Sequence, residues 1–286
     1  MKIYLPTRAR DDDIGGGWSF TRNLQQALRD KVEFITDWRK ADLYFIPGCT
    51  LASIEEVSEA KKEGKKIVLR IDNIPRNTRN RNTGTSRLKA MSDMADMVVY
   101  QSMWARGWIE PFLHKDGPVI LNGVDTNIFN PNGAKISREG TPQYLYSRYN
   151  RDENKRWEKA WYNFQRLYYK QPNSHLWIVG RFGDDKRKYD FDFFGGAEKR
   201  YSYLGVVESK YRMAEIYRGT DFLLYTYSLD ACSNVLIEAK MCGVKILGPT
   251  EGDDSAWEIL DADKSELTLE MMGRKYLEVF RKTIGK

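Results

Sequence analysis

Residues 223–248, LLYTYSLDACSNVLIEAKMCGVKILG, carry the signals of a complete strand-loop-helix-strand unit. The stretch opens with an apolar run and crosses a polar loop at residues 228–233. It continues as a helix from about Asn234, which Gly243 ends before a second apolar run. Such a unit belongs to a parallel sheet, in which ligands bind at the carboxyl ends of the strands. We therefore expect the loop to face a binding site.

Two acids flank this loop and the first helical turns, Asp230 and Glu238. The backbone N–H groups at the helix start, near Ser233, Asn234 and Val235, have no partner within the helix and offer a seat for a phosphate group. Two interpretations of the acids stay open: both contact a ligand, or Asp230 caps the loop and Glu238 lies on a solvated helix face.

The segment resembles the E-x7-E signature of the retaining GT-B glycosyltransferases, in the large family 4 of sugar-nucleotide enzymes, with Asp230 where the first Glu usually stands. The resemblance implies that Glu238 binds the ribose hydroxyls of the nucleotide and that Asp230 contacts the donor sugar. It also implies that the helix start binds the diphosphate, with Ser233, Asn234 and Val235 as donor-binding residues.

A second stretch, ILNGVDTNIFNP at residues 120–131, is similar to the family pattern I-x-N-G-V-D-x-x-x-F-x-P, found where the first domain passes into the second. All seven specified positions match. The Asn122-Gly123 pair predicts a tight turn that places Val124 and Asp125 at the interdomain cleft. Asp125 serves either the site or the hinge, and the hinge is favoured.

Alternating strand and helix signals run along the chain of 286 residues, which is long enough for two domains. With the resemblance, they predict an α/β protein of the GT-B class, in which two Rossmann-like parallel-sheet domains face a central cleft. The expected divisions are an acceptor-side domain at 1–128, a nucleotide-sugar domain at 129–265, and a terminal helix at 266–286 that returns to the first domain.

The predicted strands are short apolar runs, and the predicted helices follow them with an apolar stripe. The first-domain strands are expected at 2–5, 32–35, 43–46, 67–71, 97–100 and 119–121, with helices at 18–29 and 51–62. The second-domain strands are expected at 144–147, 176–179, 203–206 and 221–225, with a helix at 211–217.

Three glycines, Gly15, Gly16 and Gly17, end the loop after the first strand, where a glycine-rich turn can bring amides close to anionic oxygens. A flexible turn is an equal alternative, whereas the resemblance implies that they bind the donor near its phosphates. Asp72, after the fourth strand, is either a turn residue or, as the resemblance implies, a catalytic-site residue near the donor sugar or acceptor.

Residues 73–92 hold five basic residues and no acid. Either this loop is simply solvated, or Arg76, Arg79 and Arg81 form a lid or acceptor loop that attracts a phosphate-bearing substrate or an anionic membrane face.

Arg148 and Lys155 follow the first strand of the second domain. The resemblance implies that both reach the donor diphosphate, where fixed cations stabilise charge as the glycosidic bond breaks. Arg151 or Arg156 fits the same places, and a solvated charged helix start is the alternative.

Composition excludes few classes of binding partner. A formal charge of +6 fits a sugar nucleotide, an anionic membrane surface or nucleic acid alike. The cysteines, Cys49, Cys232 and Cys242, form no C-x-x-C pair, which argues against a disulfide framework and a zinc site. Because no apolar run approaches membrane-spanning length, we expect a cytoplasmic protein, free or peripheral to a membrane.

We therefore expect a hexosyl- or related glycosyltransferase of the retaining type, which moves a sugar from a nucleotide-diphosphate donor to a hydroxyl of a glycan, lipid or small molecule. By resemblance, Gly205 and Val206 lie at the base pocket, and no metal or cofactor is needed beside the nucleotide sugar. The alternatives are a non-catalytic nucleotide-sugar or carbohydrate binder, and a protein that binds or glycosylates nucleic acid. Nucleic acid is disfavoured because the chain has no recognised binding module and no strongly basic composition.

Overall fold

The computed structural model describes residues 1–6, 16–72, 82–148, 153–182, 200–248 and 254–286. Its chain divides into two compact units. Unit 1 comprises Met1–Val124, Asp230–Ser233 and Asp254–Lys286, and unit 2 comprises Asp125–Leu229 and Asn234–Asp253. Each unit is built on a five-stranded sheet whose strand pairs are parallel.

Unit 1 alternates strands and helices, as its sequence pattern predicts. The strands are β1 (Lys2–Tyr4), β2 (Glu33–Ile35), β3 (Leu43–Ile46), β4 (Lys66–Ile71) and β5 (Met97–Tyr100). The helices between and after them are α1 (Gly16–Leu28), α2 (Ile54–Lys62), α3 (Asn82–Met94) and α4 (Met103–Leu113). The strand order is β2-β1-β3-β4-β5, one of the two common doubly wound orders.

Unit 2 is likewise built of parallel strands and helices, but its strand order differs. Its strands are β6 (Gln143–Arg148), β7 (His175–Gly180), β8 (Tyr201–Tyr203), β9 (Phe222–Leu224) and β10 (Lys245–Leu247). Its helices are α5 (Trp157–Lys170), α6 (Lys210–Gly219) and α7 (Asn234–Met241). The order is β10-β9-β6-β7-β8, so β6 occupies the centre of the sheet.

The chain then returns to unit 1 through α8 (Ala256–Asp261) and α9 (Leu269–Ile284). The rings of Tyr276 and Phe280 lie 5.7 Å and 5.1 Å from that of Phe45 on β3. A Cβ added to Gly273 would lie 2.7 Å from the Cβ of Ala27, which shows how closely α9 approaches α1. The prediction that the terminal helix packs on the first domain is confirmed.

The two faces of the first sheet form separate cores, because successive residues of a strand point to opposite sides. On β3, Tyr44 and Ile46 belong to the core under α2, α3 and α4. Leu43 and Phe45 belong to the core that α1 and α9 cover. Both faces of this sheet are therefore buried, which explains why its strands read as continuous apolar runs.

Two predicted elements are wrong. The strand expected at residues 119–121 is only an isolated bridge between Tyr100 and Val119. Pro118 has no N–H to donate, and the pairing stops after two hydrogen bonds, from Tyr100 to Pro118 and from Ile120 to Tyr100. The predicted loop at 73–92 ends at α3, where Leu88 and Met91 are buried.

Among the described residues, no helix combines the length and the apolar composition needed to cross a bilayer.

Candidate functional site

The carboxyl edge of the second sheet gathers the loops that precede α5 and α7. The hydroxyl of Thr226 donates to the carbonyls of Lys155 and Arg156, each at 3.1 Å. The N–H of Ser228 donates to the carbonyl of Asn154 at 2.8 Å. Because β6 and β9 are neighbours in the sheet, these bonds hold both loops at one edge of unit 2.

Two of the predicted cations lie at this edge, each over an aromatic ring. The Nζ of Lys155 lies 3.8 Å from the ring centroid of Tyr227. The guanidinium of Arg148 lies 3.8 Å from the ring centroid of Phe182, and its Nε donates to the carbonyl of Arg181 at 3.2 Å. An aromatic face attracts and orients a cation, so each of these side chains is held against its ring.

Backbone geometry fixes the neighbourhood of Arg148. Gly180 pairs with Arg148 in the register of β6 and β7 and has φ of +125°. A Cβ at this position would lie 1.6 Å from the carbonyl oxygen of Arg148. Only glycine permits this close approach, and it brings the end of β7 directly beside the cation.

Glu238 lies on α7 and is 8% exposed, so the alternative of a solvated helix face is wrong. The hydroxyl of Tyr217 on α6 donates to its Oε2 at 3.0 Å. Burial raises the pKa of the Glu238 carboxyl to about 7, and the hydrogen bond from Tyr217 opposes part of that rise. The side chain therefore exchanges a proton near neutral pH.

The helix after the loop begins at Asn234, as predicted. Ser233 and Val235 on either side are buried, and Asn234 is half-buried. The helix dipole places partial positive charge at this amino end, which favours an anion.

Asp230 forms part of a short loop at residues 230–233, the Asp230 loop, which belongs to unit 1. Its Oδ1 accepts from the N–H of Cys232 at 3.3 Å, and its carbonyl accepts from the N–H of Ser255 at 3.2 Å. The side chain thus caps its own loop, the structural role that the sequence left open. That bond also orients the carboxylate.

Asp72 follows β4 at the carboxyl edge of the first sheet and is half-buried. Its Oδ1 accepts from the N–H of Cys49 at 3.3 Å. A Cβ on Gly48 would lie 2.3 Å from its Oδ2, so a glycine is required for this approach. The carboxylate is held at the point where β3 and β4 both end.

The predicted glycine loop is partly wrong. Gly16 and Gly17 form the first turn of α1 rather than a loop, and Gly17 faces Leu51, whose Cδ1 lies 3.2 Å from a Cβ built on it. An amphipathic helix can begin at glycine when later positions, such as Phe20 and Leu24, supply the buried face. Gly15, like the predicted lid residues Arg76, Arg79 and Arg81, lies outside the described residues.

The described part of the basic stretch serves structure. Arg87 donates to the carbonyls of Cys49, at 2.7 Å, and Ala52, which ties α3 to the loop after β3. Lys89 pairs with Asp93 one helical turn later.

The predicted base-pocket residues follow β8. Gly205 has φ of +68°, and nothing lies within 4 Å of a Cβ built on it. Its carbonyl accepts from the N–H of Gly180 at 2.7 Å, so it lies at the same edge of the sheet as Arg148. Val206 is half-buried.

The sequence places Arg70 beside Asp72 at the end of the fourth strand but gives it no role, and the structure shows it 2% exposed near the carboxyl end of β4. Its guanidinium lies 3.7 Å from the ring centroid of Phe20. It donates to three oxygens, those of Pro47 at 2.9 Å, Gln101 at 2.5 Å and Asn122 at 3.1 Å. A charged residue among apolar ones, in the strand KIVLRI, was the available signal.

The described residues contain no group of three or more His, Cys, Asp or Glu side chains placed to hold a metal ion. Cys49, Cys232 and Cys242 are buried, and none of the three forms a disulfide. Burial raises the pKa of the Cys232 thiol to about 12, so it stays protonated at neutral pH.

No protein-family model and no curated protein matches the chain. Its fold does resemble solved structures. Anabaena HepE in complex with UDP and glucose is 13% identical with a TM-score of 0.62, over 97% of this chain and 98% of that one. HepE is also solved with UDP-glucose.

Two further structures align over almost their whole length. Sucrose-phosphate synthase from Thermosynechococcus elongatus is 14% identical with a TM-score of 0.67, over 99% of this chain and 96% of that one. S. aureus MnaA with UDP is 12% identical with a TM-score of 0.62, over 99% of this chain and 97% of that one. At such identities the likeness concerns the fold alone, and it confirms the predicted GT-B class.

Proposed function

We propose that the chain is a glycosyltransferase that moves a sugar from a nucleotide-diphosphate donor to a hydroxyl acceptor, with the anomeric configuration retained. The observation that carries this proposal is the carboxyl edge of unit 2. There Arg148, Lys155 and the loop leading to α7 are held together by β6, β9 and the bonds from Thr226 and Ser228. HepE and MnaA, which share the fold, are solved with UDP or UDP-glucose, which supports a nucleotide-sugar donor.

The edge suits a diphosphate for electrostatic reasons. Two cations and the amino end of α7 bring positive charge to the carboxyl edge of this sheet, and a diphosphate gains negative charge as its bond to the sugar breaks. Arg148 and Lys155 are oriented by their aromatic partners, so they need little reorganisation when the charge develops. This arrangement supplies the leaving-group stabilisation without requiring a metal.

Glu238 is assigned to the ribose. A carboxylate accepts two hydroxyl donors well, and its bond from Tyr217 keeps the side chain oriented. Hydrogen bonds from ribose favour the ionised form, so donor binding lowers the pKa of Glu238 from about 7. Donor affinity is therefore expected to rise between pH 6 and pH 8.

The remaining candidates take the roles that the family resemblance implies. Ser233, Asn234 and Val235 bind the donor phosphates, Gly205 and Val206 border the base, and Gly16 and Gly17 bind the donor near its phosphates. Asp230 contacts the donor sugar and Asp72 lies near the reacting groups. In the transfer the bond from the anomeric carbon to phosphate breaks, the bond to the acceptor oxygen forms on the same face, and the departing phosphate takes the acceptor proton.

The finer assignments belong to the same proposal. The enzyme is a hexosyl- or related transferase of family 4, with acceptor binding in unit 1 and nucleotide-sugar binding in unit 2. It works in the cytoplasm, and an anionic membrane surface is a candidate partner for residues 73–81.

The test compares two equivalent substitutions in unit 2. Glu238→Gln keeps the shape of the side chain and removes its charge, whereas Glu215→Gln makes the same change on α6, where Glu215 pairs with Arg212. We expect Glu238→Gln to weaken UDP binding at pH 8 by about tenfold or more, the loss of roughly one charged hydrogen bond, and Glu215→Gln to leave it unchanged. Calorimetric titration with UDP measures both. Equal affinity of the two variants would remove the central assignment.

Turnover separates an enzyme from a binder. Asp230 is shorter than the usual Glu and is bonded to its own loop, a feature that favours a non-catalytic nucleotide-sugar binder as the second candidate. Incubation with UDP-glucose and other nucleotide sugars, followed by detection of released UDP, distinguishes them. Without an acceptor, an enzyme still hydrolyses the donor slowly and releases UDP from UDP-glucose. A non-catalytic binder leaves the donor intact.

A further inference from the structure

Arg70 is a buried cation with neutral partners. Its three hydrogen-bond acceptors are the carbonyl of Pro47 and the side-chain amides of Gln101 and Asn122. Burying a charge costs free energy that neutral acceptors offset only in part. An apolar residue would fill the same volume at lower cost, so the position calls for an explanation beyond packing.

The guanidinium determines which way two buried amides point. Arginine only donates, so it requires the oxygen of each neighbouring amide and directs the NH₂ group away. The NH₂ of Gln101 accordingly donates to the carbonyl of Ile71 at 3.0 Å. The NH₂ of Asn122 donates to the carbonyl of Cys232 at 3.1 Å.

Asn122 makes a double connection to the Asp230 loop. Besides its side-chain bond, its backbone N–H donates to the Sγ of Cys232 at 3.3 Å. Cys232 in turn donates its own N–H to the carboxylate of Asp230. A continuous series of bonds thus runs from Arg70 through Asn122 and Cys232 to Asp230, entirely within unit 1.

The turn that carries Asn122 is itself fixed. The N–H of Gly123 donates to the Sδ of Met272 on α9 at 3.1 Å. The carbonyl of Gly123 accepts from the NH₂ of Asn23 on α1 at 2.9 Å. Asn122 is 4% exposed. The bonds to Gly123 therefore fix the backbone beside Asn122. The side-chain amide of Asn122, held in one orientation, in turn fixes the position of Cys232.

We propose that Arg70 is a positioning residue for the proposed transfer: by fixing the amide of Asn122 it holds the Asp230 loop, and with it the carboxylate of Asp230, in a single orientation. This inference rests on the proposed function for the role of Asp230. The placement of the loop can be tested without it.

Two substitutions address the series at different points. Arg70→Lys keeps the charge but cannot donate to three separated acceptors in the planar geometry of a guanidinium. Asn122→Asp keeps an oxygen facing Arg70 but replaces the donor to Cys232 with a second acceptor. Arg218→Lys is the matched control, since Arg218 also donates to three carbonyls, those of Ile128, Asn130 and Ala134, in unit 2.

Hydrogen exchange followed by mass spectrometry reports the loop directly. We expect amides in residues 228–235 to exchange about tenfold or more faster in Arg70→Lys and Asn122→Asp, and to be unchanged in Arg218→Lys. The bonds that hold the Asp230 loop are broken only in the first two variants. If Arg70→Lys does not fold, Asn122→Asp decides. Unchanged exchange of this segment in the folded variants would overturn the inference.

Kinetics test the consequence for the reaction. With UDP-glucose, we expect the two variants to lose about 100-fold in kcat while their affinity for UDP stays within about twofold, because misplaced reacting groups affect the transition state more than nucleotide binding. An equal loss in UDP affinity would show general damage instead and contradict a positioning role. A wild-type protein that neither binds UDP nor turns over UDP-glucose would refute the proposed function, whereas the exchange measurement would still decide the placement of the loop.

Discussion

The buried carboxyl of Glu238 makes the stability of the protein depend on pH. Its pKa is raised from an ordinary 4.5 to about 7 by burial, so between these values the folded state binds more protons than the unfolded state. The contribution of Glu238 to stability is then greatest below about pH 4.5 and falls as pH rises toward 7. Ionisation of the side chain therefore opposes folding at neutral pH and above.

We expect Glu238→Gln, which cannot ionise, to unfold with a free energy up to about 3 kcal/mol higher than the wild type at pH 8, with the difference shrinking toward pH 5. Urea denaturation at both pH values measures it. Glu215→Gln serves as the control and should show no such trend. A parallel pH dependence of the Glu238→Gln variant and the wild type would contradict the burial of a titrating carboxyl.

Among the candidate site residues, the sequence predicted the surroundings of some better than those of others. Glu238 and the start of α7 could be found because helix signals and a spaced pair of acids are local patterns. The bond from Tyr217 to Glu238 could not, since the two residues lie 21 positions apart on different helices. The burial of Arg70 was not predicted, because an isolated arginine at a strand end is usually solvated.

At the scale of the elements, the packing of α9 on α1 requires the two helix backbones to lie close together. Gly273 lies against Ala27, whose Cβ would be only 2.7 Å from a new methyl group. We expect Gly273→Ala to push these helices apart and to lower the free energy of unfolding by roughly 1–3 kcal/mol, the usual cost of overpacking. Thermal or urea denaturation measures the change.

Gly107 on α4 provides the matched control. It is also helical, and nothing lies within 4 Å of a Cβ built on it. Gly107→Ala should therefore stabilise the protein, by about 0.5–1 kcal/mol, through helix propensity and a less flexible unfolded chain. If Gly273→Ala and Gly107→Ala changed the free energy of unfolding in the same direction, the effect of Gly273→Ala could not be attributed to the close packing of α1 on α9.

Strands were predicted more reliably than the segments that join them. Strands buried on both faces are continuous apolar runs with sharp limits, as in β3, predicted at residues 43–46 and found at Leu43–Ile46. The helix α3 was missed because its first turn, NTGT, is typical of a loop. Val119 was assigned to a strand because an apolar run does not show whether its backbone finds a complete set of partners.

For the molecule as a whole, ligand binding should increase the measured free energy of unfolding. A ligand that binds only the folded state raises the free energy of unfolding by about 2.7 kcal/mol at 100 times its Kd. We expect UDP to raise the Tm by several degrees at such a concentration. Uridine, which lacks the diphosphate, should raise it far less because Arg148 and Lys155 have no anion to bind. Equal shifts with UDP and uridine would argue against the diphosphate assignment.

Unit 1 is assembled from three separate parts of the chain, and the last of them contributes Met272, Tyr276 and Phe280 to its core. On the ribosome, the first 124 residues therefore emerge long before the helix that covers one face of their sheet. The part of that face that α9 covers stays exposed, or bound by a chaperone, until α9 has been synthesised. Ribosome-bound chains stalled before residue 269 should consequently be more sensitive to protease than the released protein.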